Sequence, residues 1–140
     1  MRYSEFLPGT VLRAGPRVVT EDEIVEFARR YDPQPFHVDE EAAARSMYRG
    51  LIASGWHTCS LAMRMYHDAL LSRAAWAGSP GVEKVRWLRP VRPGDVLRLR
   101  VRVLEARPSE SKPGLGLVRS RWEMLNQAGE TVLEMDGWGM

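Results

Sequence analysis

A chain of 140 residues and 15.9 kDa has room for one ordinary domain and not for two. Its 44% hydrophobic and 27% charged residues, with 12 Gly and 9 Pro, exclude disordered, collagen-like and coiled-coil chains. A formal charge of +2 gives no argument for nucleic acid, although all of the 20 basic residues except Lys84 and Lys112 are arginine.

One cysteine, Cys59, excludes an intramolecular disulfide and a cysteine-rich metal site. Met1 to Glu5 is polar and no apolar run follows it, so no signal peptide is expected. The longest uncharged run, Gly50 to Met63, is too short to span a bilayer. The expectation is a cytoplasmic protein with neither membrane nor nucleic-acid partners, forming a single domain over residues 1–140.

Residues 6–19 are short apolar pieces cut by Gly and Pro, which predicts a loop and one or two short strands. Thr20-Glu21-Asp22-Glu23 is a capping box opening a helix, with Ile24, Phe27, Ala28 and Tyr31 on one face. Asp32-Pro33 ends it, because the residue before a proline is driven out of the α region. Pro33 and Pro35 stiffen a loop to His37, and Asp39 caps a short helix from Glu40 to about Tyr48. Ser54-Gly55 opens a long helix to about Ala77, apolar on more than one face, which predicts burial on most sides.

From Val82 the pattern changes to strands. Val82–Val91 is one, and Pro93-Gly94-Asp95 is a turn. Leu97, Leu99, Val101 and Val103 alternate with Arg98, Arg100 and Arg102, a strand with one wet face. Leu115–Leu125 and Glu130–Trp138 are two more strands around the turn Asn126–Gly129. Helices followed by antiparallel strands predict an α+β fold, and one long apolar helix predicts a sheet curled around it.

Two features carry chemistry. Asp32 and His37 place a carboxylate and an imidazole five residues apart across a proline-stiffened loop, the composition of a general acid/base pair. The alternative is that Asp32 ends one helix and His37 caps the next. Ala53-Ser54-Gly55-Trp56 lies at the start of the long helix, where unpaired N–H groups and the helix dipole suit a developing oxyanion. The alternative there is an N-capping Ser54 and a packing Gly55.

These residues carry a resemblance. Phe27-Ala-Arg-Arg-Tyr-Asp32-Pro-Gln34-Pro-Phe-His37-Val-Asp39 resembles the Ala-x-x-x-Asp-x-Asn-Pro-x-His-x-Asp signature of MaoC-like dehydratases, the (R)-specific enoyl-CoA hydratase family. Ile52-Ala53-Ser54-Gly55 resembles its Ala-His-Gly segment. Arg89 to Leu97 resembles its Pro-Val-x-x-Gly-Asp-x-Leu turn, and Asn126 to Glu130 its late Asn-x-x-Gly-Glu turn. The matches keep their order over about residues 20–132. Three positions depart from the pattern: Gln34 stands for Asn, Ser54 for His, and a bulky Trp56 follows Gly55.

The resemblance implies a hot-dog fold, an antiparallel sheet wrapped around a central helix, and a homodimer with an acyl-CoA site near the subunit interface. By the family's motif, Asp32 and His37 activate water and the Gly55 N–H holds the thioester oxygen, with Ser54 and Trp56 beside it. Water would then add reversibly to a trans-2-enoyl-CoA, with no cofactor and no metal. The rival readings are an acyl-CoA thioesterase and a non-catalytic acyl-CoA-binding subunit. Acyl chain length and the pathway, fatty-acid metabolism among others, are left open.

His57 reads as a structural histidine in the first turn of the long helix. His67-Asp68 has no third ligand at metal spacing, and Cys59 reads as a small buried hydrophobe. Arg86, Arg89, Arg98, Arg100 and Arg102 are candidates for CoA phosphates against a plain solvated face.

Overall fold

A computed structural model describes residues 5–74 and 76–140. The polar stretch Met1–Ser4 lies outside the described residues. Strand β1 (Val11–Val18) leads into helix α1 (Glu21–Tyr31), opened by Thr20, whose Oγ1 accepts the Glu23 N–H at 3.2 Å. Acidic residues fill its first turn and Arg29 and Arg30 its last, which suits the helix dipole at both ends. Ile24 and Ala28 are fully buried. Tyr31, expected on the same face, instead lies exposed at the helix end, tilted against Phe27 at 5.0 Å.

Two short helices follow, α2 (Pro35–Val38) and α3 (Glu40–Ala44). The first was expected as loop. Pro35 begins it, because its fixed φ suits a first helical position and its missing N–H costs nothing there. Asp39 caps α3 as the sequence predicts, Oδ1 accepting from the Glu41 and Ala42 N–H groups.

The long helix α4 (Gly55–Ala69) stops earlier than expected, and a 3-10 turn at Leu71–Arg73 follows. Its expected continuation to Ala77 crosses Ala75, which lies outside the described residues. Leu70 and Leu71, at the break, both enter the core, 6% and 8% exposed.

Strands β2 (Gly81–Trp87), β3 (Val96–Pro108), β4 (Gly116–Leu125) and β5 (Thr131–Gly139) join β1 in one antiparallel sheet, in the order β1-β3-β4-β5-β2. Val101 faces Trp122 and Trp122 faces Met135 across the ladder. The alternation in β3 falls as read. Leu97, Leu99, Val101 and Val103 are buried, while Arg100 pairs with Glu123 at 3.2 Å on the other face. A bulge between Val103 and Glu105 shifts the phase and bends the strand.

Helix α4 packs on the apolar face of this sheet, giving the hot-dog arrangement. Leu61, Ala62, Met65 and Tyr66 enter the core, and the Tyr66 ring meets Trp122 at 4.4 Å. Burial there pushes the Tyr66 hydroxyl up to about 12. The opposite face of α4 is not covered within one chain: Trp56 and Met63 are exposed. Among the described residues no helix is long and apolar enough to cross a membrane.

The two expected turns touch. Gln127 Nε2 donates to Asp95 Oδ1 at 3.0 Å, and Gln127 Oε1 accepts the Val96 N–H at 3.0 Å. The Asp95 carboxylate also accepts the Arg92 N–H. This pins the start of β3 and the segment Leu88–Val91 ahead of it, which forms one wall of the site.

Candidate active site

Helix α1 delivers Asp32. The Asp32 N–H closes the helix on Ala28 O at 2.8 Å, and the chain then turns sharply, Gln34 N–H donating to Asp32 O. The α2 turn delivers His37 back over the same spot, so its Nε2 lies 3.3 Å from Asp32 Oδ2. The ring is buried, 4% exposed, and edge-on to Phe36 at 4.6 Å. Its Nδ1 lies 2.7 Å from Ile52 O. A carbonyl only accepts, so Nδ1 carries a hydrogen, and Nε2 is the ring nitrogen that faces Asp32.

Asp32 has two further partners. Gln34 Nε2 donates to Oδ1 at 2.7 Å, and the fully buried Ser54 donates its hydroxyl to Oδ2 at 2.7 Å. Burial raises the Asp32 pKa, but the bonds from Gln34 and Ser54 and the nearness of His37 outweigh it, and the carboxyl sits below its ordinary range. Two of the three departures from the family pattern, Gln34 and Ser54, therefore touch the same carboxylate. The chain presents Ser54 at the N-cap of α4 in extended geometry, yet its hydroxyl makes no capping bond; it is turned toward Asp32.

Gly55 begins α4, and among the described residues its N–H has no acceptor. A Cβ there would lie 2.4 Å from Trp87 Cε2, so the absent side chain is required first by the indole of β2. Trp87 Nε1 donates to Gly55 O at 2.9 Å, and Trp56 meets Trp87 edge-on at 5.0 Å.

Asp32, His37, Gly55 and Trp56 border one cleft of about 510 Å³, walled by Phe36, Tyr48, Thr58, Trp87 and the segment Leu88–Val91. Ser54 stands behind the carboxylate rather than in the wall. The cleft is open to solvent on the side of the two tryptophans, which are about half exposed. Its far wall is fixed by Ala53 N–H to Val91 O at 2.8 Å and Ile52 N–H to Phe36 O at 3.2 Å.

With this geometry in hand, comparison with known proteins is decisive about descent. The sequence profile of the family described as MaoC like domain matches residues 5–120. The chain belongs to the MaoC-like family. A relative by sequence is the uncharacterized protein YdeM of Bacillus subtilis, 32% identical over 116 residues, 82% of each chain. The crystal structure of a MaoC-like dehydratase from Rhodospirillum rubrum is 38% identical, with a TM-score of 0.87 over 95% of this chain and 90% of that one. An R-hydratase from Pseudomonas aeruginosa, in its unliganded form, is 26% identical with a TM-score of 0.72 over 99% and 83% of the two chains.

In this MaoC-like chain the remaining sequence candidates, Arg89 excepted, stand apart from the cleft. His57 is buried and stacked on Phe27 at 4.8 Å; burial pushes its pKa down, the Glu23 carboxylate opposes and Arg17 adds. Burial raises the pKa of the half-buried Cys59 thiol. His67 pairs with Asp68 on the surface. Of the arginines, Arg89 borders the cleft and pairs with Glu130 at 3.0 Å. Among the described residues no three His, Cys, Asp or Glu side chains gather where a metal could bind.

The sequence reading missed the Ile52 carbonyl that orients His37, and Trp87. The first acts through a backbone atom, which no side-chain pattern reveals. Nothing in the sequence near Trp87 separates it from an ordinary strand-end aromatic.

Proposed function

We propose that this protein is a hydro-lyase that adds water reversibly to a trans-2-enoyl-CoA, giving a 3-hydroxyacyl-CoA of R configuration, with Asp32 and His37 as its acid/base pair. The observation that carries the reading is the 3.3 Å approach of a depressed carboxylate and an imidazole with a fixed tautomer, in one cleft with an unpaired helix N-terminal N–H. The family and the likeness to an R-hydratase support it.

The chemistry follows from these groups. A water held between Asp32 Oδ2 and His37 Nε2 loses a proton to the pair as its oxygen bonds to C3. The C2–C3 π electrons move to the thioester oxygen, which the Gly55 N–H and the α4 dipole stabilise as an enolate. As the enolate collapses, C2 takes the proton back from the pair, and one water has been added. The two groups act as a unit sharing one proton, so the roles of acid and base belong to the dyad. Gln34 and Ser54 keep Asp32 ionised between turnovers.

A homodimer completes the proposal. β1 and β2 are the edges of the sheet. β2 presents the exposed Val82 and Trp87, with Trp56 and Met63 exposed on α4. A second copy pairing along β2 would cover this surface and border the cleft mouth. The test of the reaction is ultraviolet absorbance of crotonyl-CoA. Loss of the enone-thioester band without free thiol supports hydration; free thiol means hydrolysis, and an unchanged spectrum over a panel of enoyl-CoAs means a binding protein.

A further inference from the structure

Helix α4 has a gap in its own construction. The four first N–H groups of a helix need outside partners, and the N-cap side chain normally supplies one. Here Ser54 is the N-cap, but its hydroxyl is given to Asp32 Oδ2 at 2.7 Å and makes no capping bond. Only its carbonyl serves the helix, accepting the His57 and Thr58 N–H groups at 3.0 and 3.1 Å. The first turn of α4 is thus left without a side-chain cap, and it begins with a glycine, the residue with the most backbone freedom. An oxyanion donor needs the opposite, a direction fixed before the charge develops.

One side chain supplies the missing restraint. The Trp87 indole lies flush on Gly55, with Cε2, Nε1 and Cδ2 at 2.4, 2.6 and 2.7 Å from where a Cβ would stand. Its Nε1–H donates to Gly55 O at 2.9 Å, and the edge-on contact with Trp56 at 5.0 Å holds the ring from its other side. Trp87 ends β2, whose ladder to β5 fixes its backbone opposite Leu133. The ring blocks the space into which the Gly55 Cα would swing, so rotation about its φ and ψ is hindered on that face.

We infer that Trp87 is a positioning residue that clamps the first turn of α4, replacing the cap that Ser54 gives up to Asp32, and so aims the Gly55 N–H at the reacting oxygen. The functional half of this inference rests on the hydratase reading; the clamp itself does not. The arrangement ties the two halves of the site together. The serine that tunes the carboxylate is free to do so because a tryptophan on another strand holds the helix end, and that tryptophan in turn requires glycine at 55.

The test uses the whole chain with three variants: W87F, W87A and G55A, with the double variant W87A/G55A. In W87F a ring is kept and the Nε1–H is lost. The order parameter of the Gly55 amide, from 15N relaxation, should fall, while those of amides at the centre of β3 stay unchanged. With enoyl-CoA substrate, W87F should lower kcat about tenfold with KM within a factor of about two, as expected when a group realised in the transition state is misaimed.

G55A should lower the melting temperature in the wild-type background, because its Cβ displaces the indole. In the W87A background the same substitution should be neutral or stabilising, because the three nearest obstacles are gone and Ala is the better helix former. Additive melting shifts and an unchanged Gly55 order parameter in W87F would overturn the clamp. An unchanged kcat in W87F with a lowered order parameter would overturn its role in aiming the donor. Wild-type protein inert on every enoyl-CoA, with the coupling intact, would contradict the hydratase reading and not the clamp.

Discussion

Replacing Ser54 by Ala removes one hydroxyl and nothing else from the site. Ser54 is fully buried, and its 2.7 Å bond ends on the same Asp32 oxygen that faces His37. A hydrogen bond to a charged group contributes about 1.5–3 kcal/mol, and the oxygen left behind is poorly placed to recover a water behind it. For a chain of this size that is a fall in melting temperature of about 4–10 °C near neutral pH. The sign with pH follows from the direction of the Asp32 shift. Its folded pKa lies below the ordinary aspartate value of 3.8, so the stability it contributes is complete above that value and is lost as pH falls through the folded pKa. The cost of Ser54→Ala should therefore be full at pH 7 and shrink in acid, where the wild-type carboxyl is itself protonated. Without the Ser54 donor the Asp32 pKa rises, so the acid limb of the kcat/KM profile should move to higher pH. The assay is enone-band hydration kinetics from acid to neutral pH with melts at each pH. An acid limb and a melting temperature both unchanged would refute the argument that Ser54 acts on Asp32.

Gln34→Ala should move the acid limb in the same direction, because its 2.7 Å bond to Oδ1 also favours the ionised carboxylate; a shift to lower pH would contradict the arrangement. His57 has a pKa below 6.5 when folded, so the unfolded chain binds the extra proton and stability should rise with pH up to about neutrality. His57→Gln should flatten that slope, read by melts between pH 5 and 8, and leave the acid limb of activity in place. Leu99→Ala, at a site 2% exposed beneath α4, should cost about 2–5 kcal/mol and lower the melting temperature by about 10 °C, read by calorimetry. Sedimentation equilibrium at micromolar concentration should show twice the 15.9 kDa chain mass, and a single 15.9 kDa species would contradict the homodimer.

Much of the fold was legible because single features of this sequence admit few solutions. The Thr20 capping box set the start of α1, and the strict alternation from Leu97 to Val103 set the core face of β3. The end of α4 was not legible, because Leu70 and Leu71 continue the apolar pattern of the helix past the point where it breaks. The Pro35–Val38 turn was read as loop because a proline-flanked tetrapeptide carries no period. In the site, Asp32, His37 and Gly55 were nameable from spacing and resemblance. What the sequence could not convey was the direction of bonds: that Ser54 serves Asp32 rather than its own helix, that the Ile52 carbonyl orients His37, and that Trp87, 32 residues beyond Gly55, fills the space a side chain there would need.

The central claim is that Asp32 and His37 share the proton of an added water, and Asp32→Asn tests it most directly. Asparagine can keep Oδ1 toward Gln34 and offer its amide hydrogens to Ser54 Oγ and His37 Nε2, so the fold should survive and melts should show it. The negative charge and the basic oxygen are lost. Steady-state hydration of crotonyl-CoA, or of whichever enoyl-CoA the wild-type protein turns over fastest, should then fall about 10²–10⁴-fold in kcat, with no further multiplicative loss on adding His37→Ala. Near-wild-type turnover by well-folded Asp32→Asn would contradict the account.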